Sequence, residues 1–309
     1  MSALRDAPES EAVAGLSKAL GDRVNVIVAK AAKIAGARKL ATLVPNLLRA
    51  YDSLFSRERD PQCWAKNAIA QALVDLEYRE SAPFVHGIHY VQMEPIWEGQ
   101  ADTATTLRAI CALALPACVD LPRPDILRLL VDGLADKADP VRVDTVRALG
   151  QMEGGESVLL LRLKARIGDA TPQVTGQIFD SLLQLEREAA VPFVADFLAV
   201  PDEATRTEAA LSLGSSRFAA AVDVLIQCWE ENKDPDLRLA VLRGMAISRQ
   251  ERALEHLLAL IRDGRARDAC AAIEALSVDK DSEEIRNQAA LAAADREPEI
   301  QDALRKAFG

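Results

Sequence analysis

His86 and His89 stand in the sequence His-Gly-Ile-His, and Glu94, Glu98 and Asp102 follow. Imidazoles and carboxylates in such proximity are the raw material of a metal site. Zinc, however, takes three or four convergent ligands, and this pair has neither a matched second pair nor an HExxH helix. The same stretch, Phe84 to Ala104, also holds Tyr90, Met93 and Trp97, in a chain that is only 4% aromatic. Side chains with a large apolar body and a polar tip are typical of binding hot spots. His86, His89, Tyr90, Trp97 and Asp102 are therefore candidate partner-binding residues. The same aromatics could instead fold back to cap a hydrophobic seam, and the residues leave both readings open.

A second cluster is cationic. Between Arg23 and Tyr51 there is no Asp or Glu, while Arg23, Lys30, Lys33, Arg38, Lys39 and Arg49 supply six positive charges in a protein of net charge -10. Lys30, Lys33, Arg38 and Lys39 are the candidate nucleic-acid contacts, with the chain's own carboxylates as the competing partners. The overall negative charge argues against attraction of a polyanion or anionic lipid to the whole surface.

Enzyme chemistry finds no motif. There is no P-loop, GxGxxG, GxSxG or paired CxxC, so phosphate-cradling, dinucleotide, hydrolase-elbow and zinc-ribbon sites lack their spacing, and no cofactor is called for. Cys63, Cys111, Cys118, Cys228 and Cys270 are scattered through apolar patterns. With no secretory signal at the start, they are expected to be reduced core thiols of a cytoplasmic protein. The run Ala-Ile-Cys-Ala-Leu-Ala-Leu-Pro-Ala-Cys-Val, broken by Pro116, is too short to cross a bilayer.

The elements that would position these groups are legible from an internal repeat. Segments beginning at Leu107, Val141, Val174, Thr205, Leu237, Asp268 and Ile300 align in one frame. Their second residues, Arg108, Arg142, Thr175, Arg206, Arg238, Ala269 and Gln301, are separated by 34, 33, 31, 32, 31 and 32 residues. Apolar or small residues recur three and seven places after each anchor, from Cys111 and Leu115 to Leu304 and Phe308, which is one face of a helix. A second apolar segment lies between successive anchors, so each unit is expected to be a helical hairpin. Asp-Pro at Asp139 and Asp234 marks helix starts, and Gly150 and Gly214, each after a Leu, are expected to end helices. Upstream, Lys66 fits the anchor position, but 42 residues separate it from Arg108. Pro83, Gly87, Pro95 and Gly99 fall in the excess, which is expected to be loop or short broken helix.

With its Asp-Pro turns and recurring Arg, the chain resembles the HEAT-like repeats, in the short form also found in bilin lyases, well over residues 105–309 and with an insertion over 60–104. The resemblance implies an all-α, right-handed α-solenoid (α-α superhelix) of HEAT-like helical hairpins. The expected organisation is a flexible start over 1–20, basic capping helices over 21–60, an irregular repeat over 61–104 and regular repeats over 105–309, in one continuous solenoid. It further implies that Arg108, Arg142, Arg206 and Arg238 form an internal ladder with acids such as Asp139, Asp202 and Asp234. Asp144, Arg147, Asp180, Glu208 and Arg243 are expected on the concave face, where Arg147 and Arg243 join the candidate partner contacts. The functional expectation is a non-enzymatic scaffold or adaptor for a protein or peptide, with no membrane contact. The alternative is a nucleic-acid-binding or DNA-glycosylase-like protein led by the basic helices, and a bilin-lyase-like activity is a more distant one.

Overall fold

The computed structural model describes residues 2–57, 60–97 and 99–309. They form two compact units, residues 1–157 and 158–309. The first unit contains α1 (Ser2–Asp6), α2 (Glu9–Leu20), α3 (Asn25–Ala37), α4 (Val44–Arg57), α5 (Trp64–Asp75) and α6 (Ala82–Ile88). A two-stranded hairpin follows, β1 (Met93–Ile96) and β2 (Gly99–Asp102), then α7 (Thr105–Ala114), α8 (Arg123–Leu134) and α9 (Asp139–Gln151). After α10 (Gly155–Ile167), the second unit continues with α11 (Pro172–Glu186), α12 (Val191–Ala195), α13 (Glu203–Ser216) and α14 (Ala219–Glu231). It ends with α15 (Pro235–Ser248), α16 (Glu251–Asp263), α17 (Ala266–Leu276), α18 (Glu283–Ala292) and α19 (Pro298–Phe308).

Within each unit the helices alternate between two layers. In the first, α3 packs on α5, α5 on α7 and α7 on α9, while α2 packs on α4 and α6 on α8. In the second, α11, α13, α15, α17 and α19 stack in succession, with α12, α14, α16 and α18 as the other layer. The fold is thus an all-α solenoid of stacked helical hairpins. Every anchor position read from the repeat falls in an odd-numbered helix. The residues three and seven places further on, from Cys111 and Leu115 to Ala272 and Leu276, are all buried. Within each unit the apolar stripe therefore holds one hairpin to the next, and each fully buried Leu contributes about 1.5–3 kcal/mol.

Two local expectations are corrected. Gly150 and Gly214 do not end helices: they lie inside α9 and α13, and α13 ends instead at Arg217, whose φ is +57°. Gly214 serves packing, because a Cβ there would overlap the carbonyl of Gly244 on α15. The described start of the chain is helical. It forms α1 and α2, with Ala12, Leu16 and Leu20 buried at i, i+4, i+8 spacing.

Candidate functional site

The irregular repeat is organised by a carboxylate. Gln62 and Cys63 both have left-handed backbone, with φ of +61° and +53°, and the chain doubles back ahead of α5. Asp60 can then reach over the helix start and accept from the Ala65 and Lys66 amides at 2.9 and 2.8 Å, and from Asn25 Nδ2 at 2.9 Å. An anion here also meets the positive end of the helix dipole. Lys66, at the repeat's anchor position, is completely buried with its ammonium 3.6 Å from Asp60. It donates to Gln92 Oε1 at 3.0 Å and lies over the rings of Tyr90 and Phe55, 4.9 and 5.4 Å from their centroids. A buried ammonium is tolerated only with such partners.

Gln92 is the joint between this buried cation and the hairpin. Its Oε1 also accepts from Tyr90 OH at 3.0 Å and Cys63 Sγ at 3.3 Å, and its Nε2 donates to the Asp60 carbonyl at 2.8 Å and to Glu94. Beyond it the segment expected as loop or short broken helix contains one short helix, as expected, but also a strand pair. Residues 82–88 are helix α6, and Met93 to Asp102 form an antiparallel hairpin pairing Met93 with Asp102 and Ile96 with Gly99. Gly99, at φ +120°, adopts a turn conformation that side chains disfavour. The second strand ends on Asp102, which accepts from the Gln92 and Ala104 amides and takes Arg108 Nη1 at 2.6 Å. Arg108 closes the network with a two-pronged contact to Asp136, at 2.8 and 3.2 Å, and a bond to the Tyr90 carbonyl.

The electrostatics follow from these contacts. Burial alone would raise the Asp102 carboxyl, but the Ala104 and Gln92 amides and Arg108 outweigh it and hold the group below its ordinary value. Glu94 is held down in the same way, against burial, by Gln92, the Gln62 amide, Thr103 and Lys66. Burial pushes the Cys63 thiol up to about 11 and Cys111 up to about 12. Both are protonated at neutral pH and are poor nucleophiles.

The candidate residues separate into fixed and free groups. Phe84 is core, and His86 is stacked on Phe55 with ring centroids 3.8 Å apart. Tyr90 and Asp102 belong to the network, and His89 is exposed. Trp97, at the hairpin turn, is 99% exposed, and Val91, Met93 and Ile96 are each more than half exposed. Glu98 lies outside the described residues. Among the described residues, no three His, Cys, Asp or Glu side chains are grouped to hold a metal ion. Arg147 pairs with Asp144 and Arg243 with Glu274, at 2.9 and 2.8 Å. Of the basic set, Arg38 donates to the Leu4 carbonyl and Lys39 to that of Asp75, whereas Lys30 and Lys33 are exposed.

The anchoring cations do form internal pairs: Arg108 with Asp136, Arg142 with Asp139, Arg206 with Asp234 and Arg238 with Asp268. Asp202 instead caps α13 through the Thr205 amide at 2.7 Å. Asp60 and Gln92 escape a reading by motif, yet Asp60 had a signal. An Asp stands six residues before the anchor at Lys66, Arg108, Arg142, Thr175, Ala269 and Gln301, as Asp60, Asp102, Asp136, Asp169, Asp263 and Asp295. Three of these, Asp102, Asp136 and Asp169, accept from the amide two residues on and turn the chain into the next helix.

The stacked hairpins define a class: this is an all-α helical-repeat protein. Residues 191–277 match the family model for HEAT repeats. Among solved structures, the chain is similar to human deoxyhypusine hydroxylase in complex with glycerol, at 20% identity over 80% of this chain and 88% of that one, with a TM-score of 0.31. It is also similar to the condensin Cnd3–Cnd2 subcomplex of S. pombe, at 16% identity and a TM-score of 0.45. That likeness covers 92% of this chain and 41% of the other. No curated protein matches it. No helix among the described residues is long and apolar enough to cross a membrane.

Proposed function

We propose that the chain is a non-enzymatic cytoplasmic scaffold that binds a protein or peptide through the hairpin within residues 84–104 and the exposed face of its odd-numbered helices. The observation that carries this reading is the contrast within the hairpin. Its base is fastened by a buried ammonium, a buried carboxylate and Gln92, while Trp97 stands 99% exposed at its turn beside Ile96. Single exposed apolar residues are ordinary, but several on one protruding, fixed element are a feature of interaction sites. A rigid mount also lowers the ordering cost of binding, so that contact by an indole is converted more fully into affinity.

The test is capture of partners with and without nuclease, using wild type beside a variant carrying Ile96→Ala and Trp97→Ala. Because both side chains are exposed, the variant is expected to fold and to lose a defined protein that wild type retains. Retention of the same protein by the variant refutes the hairpin as its site. Capture that disappears with nuclease favours the nucleic-acid alternative, against which stands the engagement of Arg38 and Lys39 by backbone carbonyls.

A further inference from the structure

The exposed face of the α3–α5–α7 layer carries a groove of about 450 Å³. Its walls include Lys30 and Lys33 from α3, Trp64, Asn67 and Gln71 from α5, and Ile110 from α7. We infer that this groove binds an acidic peptide segment of a partner protein, with its carboxylates between Lys30 and Lys33 and a neighbouring apolar side chain on Trp64. The inference rests on the protein-binding reading above and assigns a second contact, and its chemistry, away from the hairpin turn.

The protein carries a net charge of -10, yet the described residues lining this groove include two lysines and no Asp or Glu. Lys30 and Lys33 stand three apart on one helix, so their ammonium groups serve the same patch of surface. Both are exposed, and neither forms an ion pair among the described residues. The closest acid on α5, Asp75, is already engaged by Gln71 Nε2 at 2.9 Å. The pair of cations is thus left for an external anion.

Two further features select a peptide. Trp64 is 51% exposed in the groove, a large apolar face that an aliphatic or aromatic side chain would cover. Asn67 adds a side-chain amide to the lining, a kind of group that pairs with a peptide backbone. A nucleic acid fits less well. Binding to a phosphate backbone draws on a track of many cations, and with Arg38 and Lys39 tied to carbonyls only two remain here.

The experiment measures fluorescence anisotropy of two labelled decapeptides with the full chain. One carries several glutamates around a leucine and a phenylalanine, and the other has glutamine at each glutamate. Two partly exposed ion pairs predict that the acidic peptide binds about tenfold more tightly at low salt. A Lys30→Glu, Lys33→Glu variant, shown to be folded by circular dichroism, should lose that preference. Trp64→Ala should weaken both peptides alike. Equal binding of the two peptides, binding of neither, or an undiminished preference in the lysine variant overturns the inference. So does displacement of the acidic peptide by oligothymidylate with an affinity that falls steeply as salt rises. The two readings fail separately. If the lysine variant still captures a partner through Trp97 while the peptides show no preference, only the groove assignment falls. If the peptides behave as expected but Trp97 is irrelevant to capture, only the hairpin does.

Discussion

Replacing Gln92 by Leu should undock the hairpin while leaving the helical array folded. Leu keeps roughly the volume of Gln but removes its amide. Lys66 then loses the 3.0 Å charge-assisted bond to Oε1, a loss of about 1.5–3 kcal/mol. The Asp60 carbonyl loses the 2.8 Å donor Nε2, and Tyr90 OH loses its acceptor. These add about 1–2 kcal/mol, since Tyr90 is partly open to water and can turn towards it. The added apolar contact of Leu returns about 1 kcal/mol, so the net cost is about 3 kcal/mol. Because Asp60 still accepts from two α5 amides and Asn25, the cost falls on the attachment of the hairpin rather than on α5. Hydrogen exchange read by mass spectrometry over residues 91–104 is the direct assay. Exchange there should accelerate about a hundredfold, with helices α3, α5 and α7 little changed. Protection of the hairpin equal to wild type, with a urea midpoint unmoved, would refute the claim that Gln92 joins hairpin to core.

Acid should have a related effect. Asp102 and Glu94 are both held below their ordinary values in the fold. Their contribution is fully present above the unfolded carboxylate range, about 4, and is lost as pH falls through the lower folded values. The urea midpoint should therefore decline below about pH 4, and Asp102→Asn should flatten that decline. A different test addresses the packing of the repeats. Gly214→Ala should destabilise by about 1–3 kcal/mol, because its Cβ meets the Gly244 backbone and α13 must move from α15. That exceeds the gain of about 1 kcal/mol from replacing Gly by Ala in a helix. Gly155→Ala, where a Cβ meets nothing within 4 Å, should be neutral or slightly stabilising, and calorimetry separates the two.

The stacked hairpins were legible because one anchor and one apolar stripe recur at an almost constant interval, and a helix face is what that interval specifies. The hairpin was not. Its strands are only four residues long, too short for an alternating pattern to stand out, and Pro95 and Gly99 read simply as breaks. At the start of the chain, Pro8 and the acids around it masked the spacing of Ala12, Leu16 and Leu20. Gly150 and Gly214 were misread because a glycine that ends a helix and one that lets two helices touch look alike until the neighbouring helix is present. In the network of Asp60, Lys66 and Gln92, Gln92 stands 26 or more residues from the other two, a proximity that no local window reveals. Only the recurrent Asp six residues before the anchor hinted at it.

The hairpin's division of labour has a consequence for how such a chain can change. Residues that hold it, Gln92, Glu94 and Asp102, point to the core, and those that would meet a partner, Ile96 and Trp97, lie at its far end. Substitutions at the turn should therefore be decoupled from folding, so that, if the hairpin binds as proposed, new specificities could be sampled there one residue at a time without a loss of stability to be compensated elsewhere. The same separation makes the hairpin a graftable unit: a different turn sequence between Pro95 and Gln100 should be presented on the same mount.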